Sequence, residues 1–108
     1  MKGFQKLVLC DSRSERVEVH VRAGIAEGAL TIEGQDLGPV VEEFWGDSDY
    51  EYWYHFDKEN TGKLLSLIHG ERDPEAALLR EFSGPDGYRA LRDLCDKNGI
   101  RYRFDSYA

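Results

Sequence analysis

Cysteine and proline are scarce and long apolar runs are missing, and each absence narrows what this 108-residue chain can be. The two cysteines, Cys10 and Cys95, lie far apart and in no Cys-x-x-Cys spacing, so neither a disulfide framework nor a thiol redox motif is expected. Both read as small buried hydrophobes with free thiols. No apolar stretch approaches the roughly 20 residues that a membrane-spanning helix needs. The opening Met1-Lys2-Gly3-Phe4-Gln5-Lys6 lacks the basic-then-apolar order of a secretory signal, so a cytoplasmic, reducing location without membrane contact is expected. With three prolines, no internal repeat and no low-complexity tract, nothing marks a linker, and residues 1–108 read as a single domain near the commonest domain size.

Motifs for chemistry are missing too. His20, His55 and His69 stand at no close spacing to one another or to the cysteines, whereas a zinc site needs ligands that converge tetrahedrally. Asp47-Ser48-Asp49-Tyr50-Glu51 begins like a calcium loop, but Tyr52 stands where the sharp-turn glycine belongs and Lys58 where the bidentate glutamate belongs. Gly24-Ile25-Ala26-Glu27-Gly28 has neither the glycine spacing nor the Lys-Ser/Thr ending of a phosphate loop. No serine or cysteine sits in a nucleophile elbow. No catalytic residue, metal or cofactor is expected on these grounds.

What the chain does have is acid, and the acid is concentrated. Against 14 Lys and Arg stand 21 Asp and Glu, a net charge of −7, which disfavours direct nucleic-acid binding because phosphate contacts need clustered cations. Between Glu42 and Glu59 there are seven acids and the single Lys58, so −6 of that charge falls within residues 42–59. The same stretch holds both tryptophans, Trp45 and Trp53.

Hydropathy period supplies the fold. Phe4–Cys10 is β-prone, and Arg16–Arg22 alternates Val17, Val19 and Val21 against Glu18, His20 and Arg22, so the two form a hairpin joined through residues 11–15. A break at Ala23-Gly24 precedes a third strand, Ala29–Glu33, which ends in a turn cluster at Gly34-Gln35-Asp36-Leu37-Gly38-Pro39. A short helix over Val40–Trp45 is expected next. Tyr50–Asp57 then places Tyr50, Tyr52, Tyr54 and Phe56 on one strand face and Glu51, Trp53, His55 and Asp57 on the other.

Three helices follow. The first is capped by Asp57 or Asn60 and carries Leu64, Leu65, Leu67 and Ile68; the second starts at Asp73-Pro74 and carries Leu78, Leu79 and Phe82. The third runs from Pro85 or Asp86 with Tyr88, Leu91, Leu94 and Cys95 inward, Arg89–Asp93 and Arg92–Asp96 as outer-face pairs, and Asn98-Gly99 as its stop. Ile100, Tyr102 and Phe104 alternate as a closing strand. The expected class is α+β: an antiparallel or mixed sheet of about five strands with two to three helices on one face, in the order β-β-β-(short α)-β-α-α-α-β.

Three stretches, Glu33-Gly34-Gln35-Asp36-Leu37-Gly38, Asp47-Ser48-Asp49-Tyr50-Glu51-Tyr52-Trp53 and Asn98-Gly99-Ile100 with its following aromatic strand, resemble a family of small acidic bacterial and bacteriophage proteins. The resemblance covers most of the chain. It implies a bacterial or phage source and a compact α+β fold, and it brings no activity and no functional residues with it.

Aromatic anchors inside a charged rim have the composition of a protein interface, where tryptophan and tyrosine supply affinity and complementary charge orients encounter. The candidate partner-binding residues are Glu42, Glu43, Trp45, Asp47, Asp49, Glu51, Trp53 and His55. They lead to the expectation of a non-enzymatic, acidic protein-binding module, monomeric or homodimeric. It would act as an inhibitor, immunity or anti-defence protein on a basic partner, itself a toxin or a nucleic-acid-binding protein. Two readings of other classes compete: a small hydrolase or metal-dependent enzyme using Glu51, His55 and neighbouring carboxylates, and a homo-oligomeric module closed by Trp45 or Trp53.

Overall fold

The computed structural model describes residues 3–39 and 49–107. Within them the order is β1 (Phe4–Arg13), β2 (Glu18–Ala26), β3 (Ala29–Leu37), β4 (Asp49–His55), α1 (Lys58–Leu67), α2 (Pro74–Phe82), α3 (Gly87–Asn98) and β5 (Arg103–Tyr107). The five strands form one sheet in sequence order, every neighbouring pair antiparallel. The α+β class and the antiparallel sheet agree with the sequence reading; the short helix expected over Val40–Trp45 lies outside the described residues.

β1, β2 and β3 run further at their C-terminal ends than their hydropathy period suggested, whereas β4 stops at His55, short of the expected Asp57, which caps the next helix instead. β1 continues to Arg13, and the first turn is held where the backbone N–H and hydroxyl of Ser14 both donate to the Val17 carbonyl, at 2.9 and 3.1 Å. Ala23-Gly24 is no break: Ala23 is a buried inward residue, and the turn falls at Glu27-Gly28, where both residues have positive φ (52° and 80°), as a tight two-residue hairpin requires. Gly34 through Leu37 is strand rather than turn, because the Tyr52 ring on β4 lies directly across Gly34 and occupies the space its missing side chain leaves. The closing strand begins only at Arg103, although Ile100 before it is buried and Tyr102 packs on the core.

Each helix start has a local cause. Asp57 accepts a hydrogen bond from the Asn60 N–H at 2.8 Å and caps α1, and this bond holds its carboxyl below the ordinary aspartate range. Asp73 caps α2 through the Ala76 N–H at 3.1 Å, with Pro74 in the first turn where no amide donor is needed. α3 ends on Gly99 in the left-handed conformation, with the Ile100 N–H turned back to the Cys95 carbonyl at 3.0 Å.

Buried residues of the helices join one cluster with Leu9, Val21, Ala23, Ile25, Leu30, Ile32, Tyr52, Tyr54 and Phe56 of the sheet region. Two leucines assigned inward, Leu67 and Leu79, are exposed instead; the inward places go to Leu64, Leu65 and Ile68 in the first case and to Ala77, Leu78 and Phe82 in the second. The outer-face pairs also differ from expectation. Arg89 donates to the Tyr88 hydroxyl at 3.1 Å rather than pairing with Asp93, and the Arg92 guanidinium sits 5.9 Å from the centre of the Phe104 ring rather than on Asp96. Cys10 and Cys95 are free and buried, and burial pushes the Cys95 thiol up to about 11. Among the described residues no helix is long and apolar enough to cross a membrane.

α1 is tied to the sheet by polar groups as well as by leucines. The fully buried Thr61 hydroxyl accepts from the Leu30 N–H at 2.9 Å, and the Asn60 side-chain oxygen accepts from the Arg101 N–H at 2.8 Å, linking α1 to β3 and to the approach of β5. Removing an acceptor from a buried amide leaves its full desolvation penalty unpaid, about 1–3 kcal/mol. Thr61→Val, which keeps the shape, should therefore lower unfolding free energy in urea by that amount, whereas Thr61→Ser should stay close to wild type. Equal stability of the two variants would show that the hydrogen bond does not hold α1.

Candidate functional site

β4 is the axis of the surface that matters. Tyr52, Tyr54 and Phe56 turn into the core, which leaves Glu51, Trp53 and His55 half-buried on the opposite face, as the alternation predicted; Asp49, which precedes the expected strand, joins them as the first residue of β4. Four further candidates, Glu42, Glu43, Trp45 and Asp47, lie outside the described residues.

Strand register decides what surrounds these side chains. Glu51 lies between Gln35 of β3 and Tyr107 of β5, Trp53 between Glu33 and Asp105, and His55 between Thr31 and Arg103. Further across the sheet, Glu33 is opposite Arg22 and Gln35 is opposite His20, and β1 brings Asp11 beside His20. Trp53 therefore stands one strand in from the β5 edge of a polar face that draws on all five strands.

The arginines and histidines of this face named by the register are already paired. Arg13 meets Glu18 at 2.6 Å, Arg22 meets Asp11 at 2.9 Å, and Arg103 meets Asp105 at 3.2 Å. His20 lies 2.7 Å from Asp11 and 3.6 Å from Glu18, and His55 lies 3.2 Å from Asp105. Hydrogen bonds from His20 and from Arg13 hold the carboxyls of Asp11 and Glu18, respectively, below their ordinary range. Gln35 donates to Asp49 at 3.1 Å. Glu33 and Glu51, by contrast, form no ion pair with any described residue, and they are the cross-strand and same-strand neighbours of Trp53.

Two shallow depressions adjoin on this face and share Arg22 and Glu33. One, of about 470 Å³, extends past Lys6, Gly24 and Thr31; the other, of about 360 Å³, is bordered by His20, Gly34 and Gln35. The Glu51–His55 arrangement considered for acid–base chemistry does share a face, with Trp53 between its members, and the partner that His55 takes is Asp105. Among the described residues no cluster of three or more His, Cys, Asp or Glu side chains could hold a metal ion.

A second feature lies on the core side, at the end of the sheet next to α3. There Asp36, opposite Val19 and Tyr50, shares a cleft of about 190 Å³ with Tyr50, Tyr52, Tyr54, Tyr88, Arg92 and Phe104. Burial pushes the Asp36 carboxyl up, and it also raises the phenols of Tyr52 and Tyr54. The sequence reading placed Asp36 in a turn and missed this cleft. Its signal was present in the alternation Leu30, Ile32, Gly34, Asp36, which carries the inward face of β3 on to a carboxylate.

Compared with known proteins, the chain matches no family model, no curated sequence and no solved structure.

Proposed function

We propose that the protein is a non-enzymatic binding module whose open sheet face, centred on Trp53, docks a basic protein. One observation carries this reading: Arg13, Arg22 and Arg103 are each matched by a carboxylate within the face, so the charge left over beside Trp53 is negative, at Glu33 and Glu51, with Lys6 of β1, two strands from Glu33, as the remaining lysine of the face among the described residues. A partner offering lysine or arginine gains attraction there, while a half-buried tryptophan supplies the apolar anchor. A two-fold contact of this face with itself would set its uncompensated glutamates near like charges, which favours a basic partner over a second copy.

The remaining acids of residues 42–59, among them Glu42, Glu43 and Asp47, extend the same charge in sequence. A basic toxin or nucleic-acid-binding protein is the partner class that fits, with the protein as its inhibitor, immunity or anti-defence factor. Free buried thiols at Cys10 and Cys95 suit a cytoplasmic setting. The kinship with small acidic bacterial and bacteriophage proteins belongs to the same proposal.

The test is affinity capture from the native host with wild-type protein and with Trp53→Ala and Glu33→Gln/Glu51→Gln variants, after circular dichroism has shown that each folds. The expected result is a basic protein retained at low salt and released as salt rises, with Trp53→Ala weakening its binding by about 2 kcal/mol or more. A captured partner that binds all three proteins equally, at low and high salt alike, would overturn the proposal.

A further inference from the structure

The tyrosine cleft beneath α3 lies on the other side of the sheet from Trp53 and plays no part in that docking. Its acidic end is Asp36, a carboxylate on the inward face of β3 that makes no hydrogen bond or ion pair with any described residue. Its other walls are the rings of Tyr52, Tyr54 and Tyr88 and the edge formed by Phe104. Arg92 lines the cleft but does not serve Asp36. Its guanidinium rests over Phe104, 5.9 Å from the ring centre, and it forms no ion pair with Asp36.

A lone carboxylate set among phenol rings has a chemical complement. Aromatic faces attract a cation through their quadrupole, and a carboxylate accepts hydrogen bonds from an ammonium group, so both components favour the same ligand. Size narrows it further. At about 190 Å³ the cleft is below the range usual for drug-sized ligands, which suits a short alkyl chain and rules out a nucleotide.

We infer that this cleft binds a primary alkylammonium group, with Asp36 as its counter-ion and Tyr52, Tyr54 and Tyr88 as its walls. The group can come from a free small amine or from the lysine side chain of a peptide, and the chemistry of recognition is the same for both.

Amide-resolved NMR titration of the full chain tests this with three probes: butylammonium chloride, the blocked lysine Nα-acetyl-lysine N-methylamide, and 1-butanol as the neutral isostere. Either cation should shift the amides of residues 35–37, 52–54 and 88 in a saturable way, while 1-butanol at the same concentration should not. Response to butylammonium alone assigns the cleft to free amines, and response to both cations assigns it to side chains as well. Asp36→Asn should weaken binding about tenfold or more, since the charged half of the recognition is gone. This variant should fold at least as well as wild type, because it removes a charge that burial disfavours. Tyr88→Leu, on the half-exposed side of α3, is the second variant and should also weaken the response. Absence of saturable shifts with both cations, equal shifts with 1-butanol, or undiminished binding by Asp36→Asn would each overturn the inference. Trp53→Ala and Glu51→Gln should leave these titrations unchanged, so failure here and failure of the docking face can be told apart.

Discussion

Tyr54→Ala should cost about 3–5 kcal/mol of folding free energy, the range seen when a large buried ring is truncated. Tyr54 is 1% exposed and lies within 5.1 to 6.0 Å, centre to centre, of the rings of Phe104, Tyr102 and Tyr52. Truncating it removes apolar area and opens a cavity where β4, β5 and the chain entering β5 converge. Stability of a domain this size is of order 5–15 kcal/mol, so the loss should appear as a large fall in the urea midpoint. The neighbours of Tyr54 on the other face provide the contrast. Glu51→Ala should stay within about 0.5 kcal/mol of wild type, as surface changes generally do, and Trp53→Ala should fall well short of Tyr54→Ala. If Trp53→Ala proved the more damaging of the two, the tryptophan would be a core residue and the docking face would lose its anchor.

Gly34→Ala is the smallest substitution with a large expected effect. A Cβ at Gly34 would overlap the phenol ring of Tyr52, which a rigid two-torsion side chain cannot relieve at its tip. Tyr52 would have to leave its place, where it is 6% exposed, and give up its contacts with Tyr50, Tyr54 and Phe104. About 2–3 kcal/mol is expected from overpacking of this kind. The decisive measurement is a double-mutant cycle. With Tyr52 already changed to Ala, Gly34→Ala should cost less than about 1 kcal/mol, because its obstacle has gone. Additive losses would mean that the glycine serves the backbone rather than the ring.

How far the sequence could be read follows from which signals are local. The alternation of tyrosines and phenylalanine over residues 50–56 depends only on the pleat of one strand, and it correctly separated core from surface. Asp57, Asp73-Pro74 and Asn98-Gly99 are capping signals that act within one turn, and they located the helix ends. The errors came where a distant residue decides. Gly34 reads as a turn residue until Tyr52 is known to lie across it. Leu67 and Leu79 read as inward until adjacent leucines are seen to occupy the buried side. Glu33, Asp105 and Asp11 could not be assigned to the surface of Trp53 and His55, because strand order is not written in any single strand. That β5 joins β4, rather than the far edge at β1, places Asp105 beside His55. Half of the candidate residues, Asp49, Glu51, Trp53 and His55, share one face; the carboxylate most relevant to the charge argument, Glu33, was read simply as the outward end of the third strand.

The sheet also has a temporal structure. β1 to β4 pair with their neighbours in the chain, so their contacts close short loops and can form early, whereas β5 reaches β4 only after all three helices have been traversed. It is also the shortest strand, and its side chains are exposed throughout. Elements of that kind sit at the low end of local stability and open without the rest of the domain. When β5 detaches, His55 loses Asp105 on one side of the sheet and the tyrosine cleft loses Phe104 on the other. Amide exchange across residues 103–107 thus reports on both surfaces at once, and a ligand held by either should slow it.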